Sequence, residues 1–371
     1  DLARRFEHAL SALIQHCTQT PLEQRHTPSD FALARARGLD QAMLDRWPTA
    51  NTIWPLTALQ QGLAFESLAL TNASYDPYRI QLSLTLQGPL DITRLEQAFN
   101  ALMARHTLLN LILPADMLEK GLGVVQPQPL DWQLITANDQ TLSALMQQDL
   151  HTPFDLERGP LIRVRVVKTA PMVHQLILTN HHALLDGWST PILIADLAAL
   201  YRGEVLAPTP SWGEHLKWLT TQNTTTALDY WREHLDGQPQ AQLWTPDNKL
   251  LRTEAGQTDP GEYIAQLPEA LSKNLTRFAR HHNLTTASVL QSLYMLLLAR
   301  LSSRNDITIG VTRSGRSGQR AGIDRAVGLY INTMPLRSQI NLATPLIDWL
   351  HDLQNEFAKQ DEHLHIGLQQ I

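Results

Sequence analysis

His181 and His182 stand side by side in TNHHALLDGWST (179–190), with Asp186 and Gly187 four and five places after the second histidine. These residue types at this spacing admit three kinds of chemistry. A single histidine held in one tautomer and aimed into a cleft can move a proton near neutral pH. Asp186 would then lock the loop through a buried ion pair, and Gly187 would permit a tight turn or the close approach of a substrate. Two histidines and an aspartate are also a zinc donor set. Adjacent residues at a strand's end point to opposite sides, however, so His181 and His182 are not expected to chelate one ion and no metal is assigned. The third reading is structural, with polar groups satisfying one another in a turn. A second pair, His281–His282 in HHNLTTA, lacks the Asp-Gly and reads as a solvated helix end. Paired histidines alone therefore carry little.

The flanking elements place the loop. HQLILTN (174–180) reads as a strand joined to the strand PLIRVRVVK (160–168) by a tight Ala-Pro turn. Pro191 sits in the first turn of the helix PILIADLAALYRG, which Gly203 stops. Residues 181–187 thus lie where a strand ends and before a helix begins. Earlier, YRIQLSLTLQG alternates Ile80, Leu82, Leu84 and Leu86 as a half-buried strand, and Asp91 caps a helix with Leu95, Phe99, Leu102 and Met103 on its inner stripe. Leu2, Phe6, Leu10 and Leu13 form an N-terminal helical stripe. The following TQTPLEQRHTPSDFALARARG reads as a linker, with DQAMLDRW as one short helix. Helices around 212–222 and 228–235 lead to a second half with two helical segments and the strands DITIGVTR and GLYINTMPLRSQI. This mixed order predicts an α+β protein of two lobes with a cleft between them, divided near residue 222.

At 371 residues, 43% hydrophobic and 18% charged, the chain can bury two cores. A formal net charge of −6 argues against a general nucleic-acid binder, and the cationic RSGRSGQR (313–320) is too short to make a groove. The single Cys17 excludes an internal disulfide framework and fits a reducing cytosol, so a cytoplasmic location is expected. No run reaches the roughly 18 apolar residues of a membrane span, SVLQSLYMLLLARL being broken by Gln291, Ser292 and Arg300. No secretory leader opens the chain, and a start at Asp1 in mid-helix is expected of a piece of something larger.

HHALLDGWS resembles the active-site signature of the condensation domains of non-ribosomal peptide synthetases, a branch of the chloramphenicol-acetyltransferase-like acyltransferases. Further motifs stand in the family's order: WPLTALQQGLAFESL (54–68), ARHTLLN (104–110), DYWREHLDG (229–237), IGVTRSGR (309–316) and VGLYINTMPLR (327–337). The resemblance covers 48–371. Leu-Leu-Asp-Gly-Trp-Ser, TRSGR and the glutamine pair of ALQQGL are similar to the branch that joins a donor ending in a D-residue to an L-amino acid acceptor. The segment RFEHALSALIQHC…TPSDFALA looks like the tail of a preceding epimerization domain. The implied division is 1–47 for that tail and its linker, 48–222 for the N-terminal lobe, and 223–371 for a C-terminal lobe that stops short of completion.

The resemblance implies two such lobes set in a V around a central tunnel. It implies amide formation between aminoacyl or peptidyl thioesters carried on the 4′-phosphopantetheine of upstream and downstream carrier proteins, beside adjacent epimerization and adenylation domains, with no cofactor of the domain's own. It implies that His182 is catalytic with help from the Gly187 amide, and that His181 and Asp186 are structural. Arg316, with Arg313 in reserve, would pair with Asp186. Asn332 would face the tunnel with Trp188 and Ser189 beside it, although Trp188 also reads as a packing residue. Tyr230 and Trp231 read as a helix anchor. Asn110 replaces the arginine that usually follows the Arg-His motif, and LLNLILPADMLEKGLGVV departs from the family after it. The alternatives are an epimerization domain or coenzyme-A-dependent acyltransferase of the same fold, and a non-catalytic module that recruits a partner enzyme.

Overall fold

The computed structural model describes residues 2–19, 26–70, 76–137, 139–239, 263–316 and 321–371. Residues 20–25 of the expected linker, the Cys17 side chain and residues 317–320 of the cationic loop lie outside them. The first half runs α1 (Leu2–Gln19), α2 (Ala32–Arg35), α3 (Gln41–Leu44), β1 (Thr52–Pro55), α4 (Ala58–Ala69), β2 (Arg79–Gln87) and α5 (Ile92–Arg105). It continues through β3 (Leu111–Ile112), α6 (Ala115–Leu118), β4 (Leu122–Val125), β5 (Asp131–Thr136), α7 (Asp139–His151), β6 (Ile162–Ala170), β7 (Val173–His181) and α8 (Ser189–Arg202). After α9 (Trp212–Thr220) and α10 (Thr224–Leu235) come α11 (Glu269–His281), α12 (Thr286–Ser302), β8 (Asp306–Arg313), β9 (Asn332–Gln339) and α13 (Leu346–Lys359).

The main sheet has the order β2-β7-β6-β5, antiparallel except for the parallel β5–β6 pair. Period-two alternation sends Val164 and Val166 of β6, and Leu176 and Leu178 of β7, into one core with Phe99 of α5 and Leu193 and Leu197 of α8. The alternate residues Arg163 and Arg165 are not left to solvent. Their Nε groups lie 3.2 and 3.4 Å from the Asp149 carboxylate of α7, so β6 is covered on both faces. Asp91 caps α5 by accepting from the Arg94 amide at 3.0 Å, and Gly203 ends α8 at φ +81°.

Two expectations about the chain's layout change. Part of the expected linker is core: Phe31, Ala34, Leu39, Met43 and Leu44 pack with Ile53, Ile112, Met117 and Val124. That core also explains the unusual segment after Asn110, which folds as β3, α6 and β4 in a small sheet of order β1-β4-β3. Asn110 holds its start, donating to Met103 O at 2.9 Å and accepting from the Gln128 amide at 3.3 Å. The stripe Leu2, Phe6, Leu10 and Leu13 does form a helix, but all four side chains are exposed.

The second half has its own core, with Val289, Met295, Ile307, Leu336, Trp349 and Leu350 among its members. A cut near residue 222 does not separate the two cores along the chain. Ile323, Ala326, Val327, Leu329 and Tyr330 return to the first core, carrying the segment between β8 and β9 back against β7 and α8. Trp231 is fully buried and donates to His363 O at 3.1 Å, while Tyr230 stacks on the His363 ring at 4.1 Å. Among the described residues no single helix is long and apolar enough to cross a membrane; α11 and α12, apolar enough together, meet at 106°.

Candidate active site

β7 stops pairing where the site begins. His181 is opposite Arg79, its amide donates to Leu161 O at 2.9 Å, and the next amide, of His182, donates to Tyr78 O at 2.7 Å. The chain then turns, with the Leu184 amide on His181 O at 3.1 Å. The two imidazoles are fixed in opposite tautomers by what surrounds them. His181 Nδ1 accepts the Ala183 N–H at 3.1 Å, so its proton is on Nε2, which donates to Ser67 Oγ at 2.9 Å. His182 Nδ1 lies 2.7 Å from Leu185 O. A carbonyl only accepts, so that nitrogen carries the proton and Nε2 presents a bare lone pair. His182 is half-buried, and its Nε2 has no hydrogen-bond partner among the described residues.

Burial pushes the His181 pKa down from 6.5 to about 4, against the pull of Asp76. A base whose folded pKa lies below its unfolded value leaves the unfolded chain to bind the proton first as pH falls. Its stabilising contribution is therefore complete above pH 6.5 and is lost as pH drops toward 4, by up to about 3 kcal/mol. Protonation would also remove the acceptor of the Ala183 amide. Denaturant midpoints at pH 7 and pH 5 should differ accordingly, and less in a His181→Gln variant. His106, His234 and His363, also shifted down by burial, contribute slope of the same sign to both proteins.

Asp186 points away from the histidines into a dry cluster. Its Oδ2 lies 2.5 Å from Arg316 Nη1 and accepts the Tyr330 amide at 3.0 Å. Its Oδ1 accepts from Arg316 Nη2 at 3.1 Å, the Ser189 amide at 2.9 Å and Ser189 Oγ at 2.8 Å. The pair is almost wholly out of water, the Asp186 side chain being 0% and that of Arg316 4% exposed. Arg316 also donates to Ala326 O and lies 4.4 Å from the Tyr330 ring centroid. Gly315 makes the approach feasible: at φ +62°, a Cβ there would sit 1.8 Å from Tyr330 O.

Other expected residues are placed differently. Arg313 is not near this cluster; it pairs with Asp361, donates to Phe357 O at 2.8 Å and lies over the Phe357 ring. Ser189 does not line a tunnel, because it is fully buried and its Oγ is shared among Asp186, Gly328 and Arg316. Trp188 is half exposed, and its indole N–H donates to Asp324 O at 3.1 Å. Asn332 spends its amide on Leu364 O and Ile366 O, at 2.9 and 2.6 Å. It lines a cavity of about 860 Å³ with Thr57, Gln61, His215 and Tyr330, and His182 does not belong to that wall. Gly187 is exposed, its φ is not left-handed, and a Cβ there would meet no atom within 4 Å. Its amide has no partner among the described residues.

The residue that spacing did not single out is Gln60. It is fully buried on α4 and donates from Nε2 to Ala183 O at 3.0 Å. Its motif is visible in ALQQGL, but nothing in the sequence says which glutamine turns inward. Among the described residues no three His, Cys, Asp or Glu side chains gather to hold a metal ion.

The family model for the condensation domain matches residues 50–371. The chain belongs to the condensation-domain family. A linear gramicidin synthase from Brevibacillus parabrevis is 34% identical over 98% of this domain's chain, and bacitracin synthase 3 from Bacillus licheniformis 28% identical over 100%. The chain spans only 7% and 6% of those two proteins. Among solved structures, the condensation domain of the monacolin K polyketide synthase MokA superposes with a TM-score of 0.69 at 20% identity, over 86% of this chain and 75% of that one. The X-domain of teicoplanin biosynthesis, solved in complex with OxyB, superposes with a TM-score of 0.71 at 21% identity, over 85% and 72%. This condensation domain thus has the chloramphenicol-acetyltransferase-like fold of its neighbours, in a mixed α/β arrangement.

Proposed function

We propose that this domain forms a peptide bond between two carrier-bound thioesters, with His182 serving the attacking amine. The observation that carries the reading is the bare Nε2 of His182, held by Nδ1–H on Leu185 O at the end of β7. The acceptor's free amine attacks the donor's thioester carbonyl, and the new C–N bond gives a tetrahedral intermediate with a positive nitrogen and an oxyanion. Nε2 is the acceptor for the proton that this nitrogen must lose. The C–S bond then breaks, and the thiolate of the donor's phosphopantetheine arm leaves and takes up a proton. A free α-amine has a pKa of about 7.7–8.0, so a sizeable minority is already neutral near pH 7 and the late proton is the one that needs a base. The unpartnered Gly187 amide is the candidate donor to the oxyanion.

Gly187 offers a direct check. Its backbone conformation does not demand glycine and a Cβ there would meet no atom of non-adjacent residues within 4 Å, which leaves room for a substrate to approach. Gly187→Ala is expected to leave Tm within about 2 °C of the parent, an effect under 1 kcal/mol. It should nonetheless slow condensation about 10-fold or more by obstructing the reacting atoms.

We further read the donor as ending in a D-residue, delivered by an upstream epimerization domain whose tail and following linker make up residues 1–47, the linker's Phe31–Leu44 part lying against the condensation domain, with 48–222 and 223–371 as the two lobes. The carrier proteins on both sides and an adenylation domain are the corresponding partners. Alignment of bacitracin synthase 3 over 100% of the chain, which includes the residues before the family match at 50, supports a unit shared beyond the condensation domain itself. The test loads D- and L-ended donors on an upstream carrier and an L-aminoacyl acceptor downstream, and compares products from the full-length protein. Product from the D-ended donor is expected; product from neither sinks the assignment, and preference for the L-ended donor sinks only the stereochemical part.

A further inference from the structure

We propose that Gln60, supported by Ser67 two turns along the same face of α4, is a positioning residue for His182; the inference rests on the function proposed above. The Ala183 N–H lies in the peptide that joins it to His182 and the Ala183 carbonyl in the next peptide, so these two groups together fix the path of the backbone as it leaves His182. Both are gripped by side chains. The N–H goes to His181 Nδ1 at 3.1 Å, and the carbonyl receives Gln60 Nε2 at 3.0 Å. The orientation of the Gln60 amide has only one solution. Ala183 O accepts, so Nε2 must face it, and the Thr57 amide donates, so Oε1 must face that group, at 3.1 Å. The Thr57 hydroxyl in turn accepts the backbone N–H of Gln60 at 3.2 Å, a reciprocal capping box that anchors the Gln60 side chain in the cap of its own helix. Ser67 Oγ takes the His181 Nε2 proton at 2.9 Å and lies 3.4 Å from Asp76 Oδ1.

One helix therefore holds the turn at two points on either side of His182: the histidine before it and the carbonyl after it. Gln60 is fully buried, and no other donor to Ala183 O exists among the described residues. Without Nε2 that carbonyl loses its partner and the turn can relax. A displacement of about 1 Å of a catalytic group costs on the order of 100-fold in rate.

The test uses Gln60→Glu and Gln60→Met in the full-length protein, with rates per folded molecule measured from pH 6 to 8 on carrier-bound donor and acceptor. The glutamate keeps the shape and can accept from Thr57. Ionised, it sets an oxygen against Ala183 O; protonated, it donates as the amide did, and burial favours that form as pH falls. We expect kcat for both variants to drop at least 10-fold at pH 8, with KM for either carrier within about 3-fold. The ratio of the Gln60→Glu rate to the parent rate should rise at least 5-fold on going to pH 6, and that of Gln60→Met should stay flat. A purely structural glutamine would give a ratio independent of pH, and that result, or an unchanged kcat, overturns the proposal. If neither variant folds, Ser67→Ala decides: a kcat lowered several-fold at constant KM supports the clamp and an unchanged kcat overturns it. His182→Ala is run alongside. If it keeps its rate, the functional reading itself has failed; if it loses its rate while Gln60→Glu does not, only the role of Gln60 has.

Discussion

Arg316→Ala is expected to destabilise the protein by about 3–5 kcal/mol, a large part of the stability of an ordinary domain. The cost does not come from the strength of the ion pair as such. A buried pair roughly balances desolvation against attraction, whereas removing one partner leaves the other charge without water or counter-ion. Here the orphan is Asp186, whose side chain has no exposed surface. Its remaining donors, the Ser189 and Tyr330 amides and Ser189 Oγ, are neutral. Ala326 O and the Tyr330 ring lose a neighbour as well. Arg316→Lys should recover only part of the loss, since one ammonium cannot reach both carboxylate oxygens and Ala326 O together. Arg313→Ala is the control: its partner Asp361 is 39% exposed, so solvent screens the orphan and a smaller change is expected. The measurement is the denaturant midpoint of each variant, and an Arg316→Ala protein within about 1 kcal/mol of the parent contradicts the account.

His182→Ala is expected to lower kcat by on the order of 10²–10⁴-fold, the span of a positioned proton-transfer group. The lower part of that span is favoured, because an amine needs less help than a hydroxyl before it attacks. Stability should change little, since the half-buried ring gives up only the bond from Nδ1 to Leu185 O. His182→Gln separates the two tasks. A glutamine carbonyl set near the Nε2 position can accept a hydrogen bond from the amine and orient it, but it cannot carry a proton away. Equal rates for the Gln and Ala variants indicate that proton removal is the larger task; a Gln variant near the parent rate indicates orientation. Product from His182→Ala at the parental rate ends the assignment of this histidine.

Much of the site's frame is legible in TNHHALLDGWST and its flanks. A strand, a turn and a helix stopped by Gly203 follow from alternation, Pro191 and a single glycine. The opposite facing of His181 and His182 follows from strand geometry alone. Those are local properties, and local sequence encodes them. The partner of Asp186 is not local. Arg316 is 130 positions away, and only the resemblance to a family, not any spacing, selected it over Arg313. Gln60 and Ser67 were hidden for a related reason, because hydrogen bonds across the fold leave no periodicity. The small sheet β1-β4-β3 escaped because β4, Leu122–Val125, is buried at all four positions and shows no alternation. The ion pairs of Arg163 and Arg165 with Asp149 are non-local in the same way, and nothing in PLIRVRVVK announces them.

The link between Asp186 and Arg316 also has a consequence in time. At translation speeds of about 5–20 residues per second, Arg316 leaves the ribosome on the order of ten seconds after Asp186. During that interval β7 and its turn can pair and coil, but the carboxylate has no counter-charge and must stay wet. The Asp186 end of the histidine turn thus gains its counter-charge and the Tyr330 amide only when the returning segment arrives. A nascent chain halted between the two residues would carry every histidine of the signature and still hold no finished site.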